Sequence, residues 1–177
     1  MIFPSLIDNS WTLFLDRDGV INQRIINDYV KDPKDFVPIK GSLKAISNFN
    51  KIFGLTIVVT NQQGIGKGLM SEKDLELVHS HFLDLLQKEK GKVDSIYHAP
   101  QLAELDSQER KPNTGMALKA KNDFPSINFE KSVMIGDSVS DMQFGKALGM
   151  STIFIGKQKN QWSDFHAENL SDIEFNK

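Results

Sequence analysis

Asp16 and Asp18 stand one residue apart at the end of the apolar run 12–16 (TLFLD), with Gly19 directly behind them. Two carboxylates at that spacing can share a hard cation and still act separately. One can attack a phosphorus atom while the other handles a proton. Gly19 lets the chain turn sharply after the pair. Taken alone, a D-x-D-G is more often an acid-rich turn that ends a strand.

Three further segments make the pair meaningful. Thr60-Asn61-Gln62-Gln63-Gly64-Ile65-Gly66 follows the β-branched run 55–59 (LTIVV). A hydroxyl beside free backbone N–H groups cradles phosphate oxygens, and glycines permit close approach. By itself this is a polar β-to-α turn, and it lacks the third glycine of a dinucleotide fingerprint. Arg110-Lys111-Pro112 comes next. In a phosphate site the lysine would offset charge on the transferring group, and the arginine would grip a second anionic or hydroxyl-rich part of the substrate. Pro112 disfavours helix at Lys111. Last comes Gly136-Asp137-Ser138-Val139-Ser140-Asp141, immediately after run 132–135 (SVMI). Asp137 is placed to complete a metal site with Asp16. Asp141, four residues on, could instead stabilise a helix N-terminus.

The positioning elements are legible in the pattern. Runs 12–16, 55–59, 93–97, 132–135 and 151–155 read as buried strands of the kind a parallel sheet covered on both faces requires. Helical spacing occupies 42–53, 71–90, 114–124 and 139–148, with Ser71 as an N-cap and Gly91 as a stop. The alternation predicts an α/β, doubly wound, Rossmann-like and mainly parallel sheet with helices on both faces and no large cap domain. In such sheets ligands bind beyond the carboxyl ends of the strands. The connections 19–41 and 99–113 are long and irregular, as functional loops often are.

Bulk properties set the outer bounds. The 177 residues suit a single domain over 1–177, with the motif-bearing core at about 12–155. There is no cysteine, so thiol nucleophiles, disulfides and cysteine-held zinc are excluded. The net charge of −2 offers no broad basic face for nucleic acid or a membrane surface. No apolar run approaches the roughly 20 residues of a membrane span, and 1–10 carries no signal-peptide pattern. A cytoplasmic monomer is expected.

In this order and at these strand ends, the four segments resemble those of the haloacid dehalogenase superfamily of phosphotransferases. FLDRDGVIN, VVTNQQGIGKG, RKPNTGM and MIGDSVSDMQ stand where that family has its motifs. Their wording is most similar to the capless branch of heptose 1,7-bisphosphate 7-phosphatases and histidinol-phosphate phosphatases. TNQQGIGKG and RKPNTGM also resemble the 3′-phosphatase domain of polynucleotide kinase-phosphatases, although no P-loop is present here. A non-catalytic phosphate-binding domain is the remaining alternative, and a binder has no need of a nucleophile.

The resemblance implies a mechanism. Asp16 is the nucleophile that forms an aspartyl-phosphate, and Asp18 is the general acid and base. Mg²⁺ sits on the Asp16 carboxylate, the Asp18 backbone carbonyl and the Asp137 carboxylate, within about six oxygen ligands. Thr60, the Asn61 backbone and Lys111 hold the transferring group, and Asp141 orients Lys111 or the metal's waters. Asn27, Asp28, Tyr29, Gln62, Gln63, Arg110 and Ser138 face the rest of a small phosphorylated substrate, with a sugar bisphosphate first in line. Two departures stand out. The branch's zinc loop of three cysteines and a histidine is reduced to His98, and structural zinc wants about four ligands, so no zinc is expected. The lysine that tends to follow the fourth-motif acid in the heptose enzymes is here Ser138. His79 and His81 are expected as exposed helix residues, Trp11 and Trp162 as packing residues, and 156–177 carries no readable function.

Overall fold

The computed structural model describes residues 1–158 and 160–176. Its centre is a parallel sheet. β1 (Ile2–Leu6) lies apart from it. β2 (Thr12–Leu15), β3 (Leu55–Asn61), β4 (Ser95–Ala99), β5 (Ser132–Gly136), β6 (Ser151–Ile155) and β7 (Phe165–Ala167) form it, in the order β4-β3-β2-β5-β6-β7. The strand carrying Asp16 at its end is therefore flanked by those that lead into Thr60 and Asp137. All four residues of β2 are buried, as expected for a strand covered on both faces.

Alternate residues of β2 serve opposite layers. Leu13 and Leu15 join a core with Ile46 and Phe49 of α1 (Ser42–Phe49) and Val78, Phe82 and Leu86 of α2 (Glu72–Lys88). Phe14 joins a second core with Met116, Ala117 and Ala120 of α3 (Gly115–Asp123) and Phe144 of α4 (Val139–Ala147). Helices thus cover both faces, as the sequence predicts. Ser71 caps α2 in a capping box with Asp74, which satisfies two otherwise orphaned N–H groups.

Several expectations shift. α1 ends at Phe49, and 50–53 continues only as a turn. The strand expected at 93–97 lies at Ser95–Ala99, because the backbone and carboxylate of Asp94 are used to anchor Thr56 at the start of β3. The left-handed residue that ends α2 is Lys90, one before Gly91. His79 and His81 are not exposed. His79 faces Arg17, and His81 lies edge-on to Phe36. Trp11 packs against Phe3, as expected, whereas Trp162 is 44% exposed and is no core residue.

The terminal segment, opaque in sequence, closes the fold. β8 (Glu174–Asn176) pairs in parallel with β1. Phe175 meets the rings of Phe3, Phe49 and Phe53 at centroid distances of 5.3, 5.0 and 4.9 Å. Truncating a buried aromatic ring costs the transfer free energy plus that of the cavity left behind. Phe175→Ala is expected to lower unfolding free energy by about 3 kcal/mol, read as a fall in the urea midpoint with unchanged slope. A midpoint within error of the parent would show that the terminal ribbon does not seal this core.

Candidate active site

The chain after β2 bends at Gly19, whose φ of +92° favours glycine and whose missing Cβ leaves room for the Asp137 carboxylate. A Cβ there would lie 1.9 Å from Asp137 Oδ2. Sequence-distant acids are brought together in this way. Asp16, Asp137 and Asp141 each offer a carboxylate oxygen within 4.8 Å of the others.

Lys111 ties these segments to one another. It is buried, and its Nζ donates to Asp16 Oδ1 at 2.7 Å and to the Val59 carbonyl at 2.7 Å, and pairs with Asp141 Oδ1 at 2.6 Å. Its backbone is clamped by the Asn61 side chain, which accepts from Lys111 N and donates to Lys111 O, both at 3.0 Å. Asp141 does both jobs considered for it. One oxygen pairs with Lys111, and the other accepts from the N–H and hydroxyl of Ser138 in the capping box of α4. Ser138 reaches the cavity wall with its hydroxyl engaged by Asp141 and Ser140.

The Asp18 side chain is held differently. It takes a two-pronged bond from Arg17 Nη2, 2.9 Å to each oxygen, together with Asn22 Nδ2 at 2.9 Å and Gln62 Nε2 at 2.8 Å. Burial opposes its charge, but Arg17 and these donors hold its carboxyl below the usual range. Gln62, expected to face substrate, is instead buried beneath the site. There it bonds Asp18 and Thr60, because the turn after β3 points inward at this residue while Gln63 reaches the cavity. Arg17 is entirely buried, and its Nη1 meets His79 Nε2 at 3.1 Å. Burial, and then Arg17 itself, push His79 down to about 3, so its neutral ring accepts that bond.

The remaining charges are strained by burial. Asp16 is pushed up to about 7 and Asp137 to about 6, in each case chiefly by desolvation and against the pull of Lys111 and Arg24 respectively. The oxygen-only set suits a hard divalent cation such as Mg²⁺. The Asp18 carbonyl faces the same place, since Arg24 Nη2 reaches both it (3.2 Å) and Asp137 Oδ1 (2.7 Å). The Asp16 and Asp137 carboxylates and the Asp18 carbonyl thus fit such an ion.

Above these groups lies a cavity of about 530 Å³ whose wall includes Thr60, Asn61, Gln63, Arg110 and Asn27 to Tyr29. The Tyr29 ring closes over Gly64, where a Cβ would come within 2.9 Å of it. The close approach at that glycine is therefore by an aromatic ring. Lys67 stands over the Tyr29 ring, 5.6 Å from its centroid. Sequence reasoning does not single out Arg17, Arg24 or Lys67, and it sets His79 aside. Arg17 and Arg24 share one available signal: the chain has only three arginines, and all three stand here. Where the branch's zinc loop would stand, His98 pairs with Glu72 at 2.8 Å, and Asn113 ties the 99–113 connection to Asp106 and Ser107.

A buried carboxylate paired with a lysine, beside acids that fit a hard cation, at the carboxyl end of a doubly wound sheet is the arrangement that phosphoryl transfer uses. Comparison with known proteins places it further. Residues 108–172 match the family profile described as HAD-hydrolase-like. The D-glycero-alpha-D-manno-heptose-1,7-bisphosphate 7-phosphatase of Campylobacter jejuni is 37% identical over 163 residues, covering 91% of this chain and 92% of that protein. The D-glycero-beta-D-manno-heptose-1,7-bisphosphate 7-phosphatase of Vibrio cholerae is 37% identical over 148 residues, covering 79% and 77%. The crystal structure of D,D-heptose 1,7-bisphosphate phosphatase from B. bronchiseptica, complexed with magnesium and phosphate, superposes with a TM-score of 0.82 at 25% identity, covering 92% and 94%. The chain belongs to the haloacid dehalogenase-like hydrolases, among the phosphatases of that family.

Gly19→Ala tests the convergence of the acids. The added methyl collides with Asp137 and the backbone is forced into an unfavourable region. Phosphatase turnover should fall by roughly 100-fold or more through misplacement of the acids, with near-native far-UV circular dichroism. Retained turnover would mean that Asp137 need not lie against this turn.

Proposed function

We propose that this chain is a Mg²⁺-dependent phosphomonoester hydrolase that removes the 7-phosphate of D-glycero-D-manno-heptose 1,7-bisphosphate. The observation that carries the chemistry is Lys111 Nζ, held between Asp16 and Asp141 at the floor of the cavity. A buried ammonium beside a buried carboxylate stabilises the negative charge that a transferring phosphoryl group brings.

Asp16 is the nucleophile. One of its oxygens forms a bond to phosphorus as the bond to the sugar oxygen breaks, and an aspartyl-phosphate results. Asp18 gives a proton to the departing oxygen. To do so its carboxyl first turns off Arg17, which keeps its bond to His79, and takes up a proton from solvent. In the second half Asp18 takes a proton from water, the water oxygen attacks phosphorus, and phosphate leaves with Asp16 restored. Held by Arg17, Asn22 and Gln62, Asp18 is ionised, which is the form this second half needs. Thr60, the Asn61 backbone and Lys111 receive the phosphoryl oxygens. Mg²⁺ on Asp16, Asp137 and the Asp18 carbonyl supplies charge neutralisation, so that an anionic nucleophile can approach an anionic ester.

The substrate reading rests on the relatives' names and on the upper cavity. Arg24, Lys67 and Arg110 line it together with Asn27 and Tyr29, and a bisphosphate gives these cations a second anionic group to meet. The sugar hydroxyls would find Asn27, Asp28 and Gln63.

Two outcomes are expected. With Mg²⁺, the protein should release phosphate from heptose 1,7-bisphosphate far faster than from histidinol phosphate or a 3′-phosphorylated oligonucleotide. Asp16→Asn should lower that rate by roughly a thousandfold or more. Equal rates across the panel would overturn the substrate, and an active Asp16→Asn variant would overturn the nucleophile.

Acidity supplies a further outcome. Because folding raises Asp16 and Asp137 from 3.8 to about 7 and about 6, the metal-free fold binds more protons than the unfolded chain between those values. Their contribution to stability is therefore full below about pH 4 and lost as pH rises through about 7. Mg²⁺ must displace the same protons. The rise in melting temperature on adding Mg²⁺ should be larger at about pH 8 than at about pH 5.5. A pH-independent rise would remove these acids from the cation site.

A further inference from the structure

Part of the cation site is already taken by a positive charge from the chain itself. Arg24 Nη2 donates to Asp137 Oδ1 and to the Asp18 carbonyl oxygen. Those are two of the three oxygens assigned above to Mg²⁺, and the inference rests on that assignment. Asp137 Oδ1 is the oxygen that Arg24 holds, while Oδ2 turns toward Gly19, 1.9 Å from where a Cβ at that position would sit. An ion bound to this carboxylate and carbonyl would bring its positive charge against the guanidinium that now holds the same groups, and two cations there repel.

Arg24 is built to leave. Its side chain is 54% exposed, it sits on the 19–41 connection, and among the described residues it has no other hydrogen-bond partner. Arg17 is the contrast within the same site: fully buried and held by both Asp18 and His79. Arg24 also lines the cavity with Lys67 and Arg110, so a guanidinium freed from Asp137 remains beside the space a substrate fills. Its planar fork suits a phosphate there as well as it suits a carboxylate.

We propose that Arg24 is an internal counter-cation, which holds Asp137 and the Asp18 carbonyl in the metal-free protein, gives way when Mg²⁺ binds, and then turns to an anionic group of the substrate. Metal and Arg24 compete for one place, while metal and anionic substrate reinforce each other. The metal-free protein is thereby spared an uncompensated acid cluster, and the anion-binding arm becomes available only once the ion is in place.

Mg²⁺ titration of the metal-free full chain by calorimetry, with no substrate, tests this. Arg24→Gln should bind Mg²⁺ more tightly than the parent by roughly three- to tenfold, the worth of a partly exposed charged hydrogen bond. Lys67→Gln removes the same charge from the same cavity without touching the ligands, and should leave the affinity unchanged. With Mg²⁺ saturating, inorganic phosphate should bind Arg24→Gln more weakly than the parent. In the unaltered protein, phenylglyoxal labelling read by peptide mass spectrometry should increase at Arg24 when Mg²⁺ is added, a readout that needs no variant to fold. Unchanged or weaker Mg²⁺ binding by Arg24→Gln, equal gains in both variants, or labelling indifferent to Mg²⁺ would overturn the proposal while leaving the phosphatase reading intact. A parent chain that takes up no Mg²⁺ at all would overturn both.

Discussion

The site is organised around one buried ammonium group. Lys111 reaches in from the turn before α3 and meets Asp16 at the end of β2, the Val59 carbonyl in β3 and Asp141 in the first turn of α4. Taking a lysine and two carboxylates out of water is costly, and the cost is offset only if each charge finds its partner. Removing Lys111 would leave two carboxylates facing each other in the interior with no cation between them. The order β4-β3-β2-β5 makes the arrangement possible, because it sets the ends of β3 and β5 on either side of Asp16.

Around that centre the acids outnumber the bases. Asp16, Asp18, Asp137 and Asp141 face Arg17, Arg24 and Lys111, which leaves a single unbalanced negative charge. Burial first, and then the neighbouring acids, make Asp16 and Asp137 hold their protons more tightly than ordinary aspartates. Asp18 escapes because Arg17 and two amide donors are committed to it. The difference between neighbouring acids thus comes from their partners.

Much of this was legible in the order of residues. The acid pair, the hydroxyl-bearing turn and the final acid each follow a strand or begin a helix, the lysine before proline stands in the turn ahead of α3, and periodicity alone located five of the strands and all four long helices. Asp141 shows the limit of such reading. Its position predicted a helix cap and the family resemblance a residue that orients Lys111 or the metal's waters, and the structure uses one oxygen for the cap and one for Lys111. The zinc loop illustrates the converse, where missing cysteines were visible but the Asn113 bonds that tie the 99–113 connection were not.

What the sequence determined by itself is therefore the chemistry at the strand ends, because residue type and hydrophobic period are local properties. What tertiary structure decided is which side chain of each motif faces the cavity. Gln62 and Gln63 are adjacent and chemically alike, yet one lies buried under Asp18 and the other lines the cavity. Arg24 and His79 carry no local signal, since their partners Asp137 and Arg17 lie 113 and 62 positions away. The terminal ribbon was unreadable for the same reason: three-residue strands have too few positions to show a period, and Phe175 becomes a core residue only when the two ends of the chain meet. Long-range pairing, burial and charge balance are properties of the folded assembly, and no window along the chain contains them.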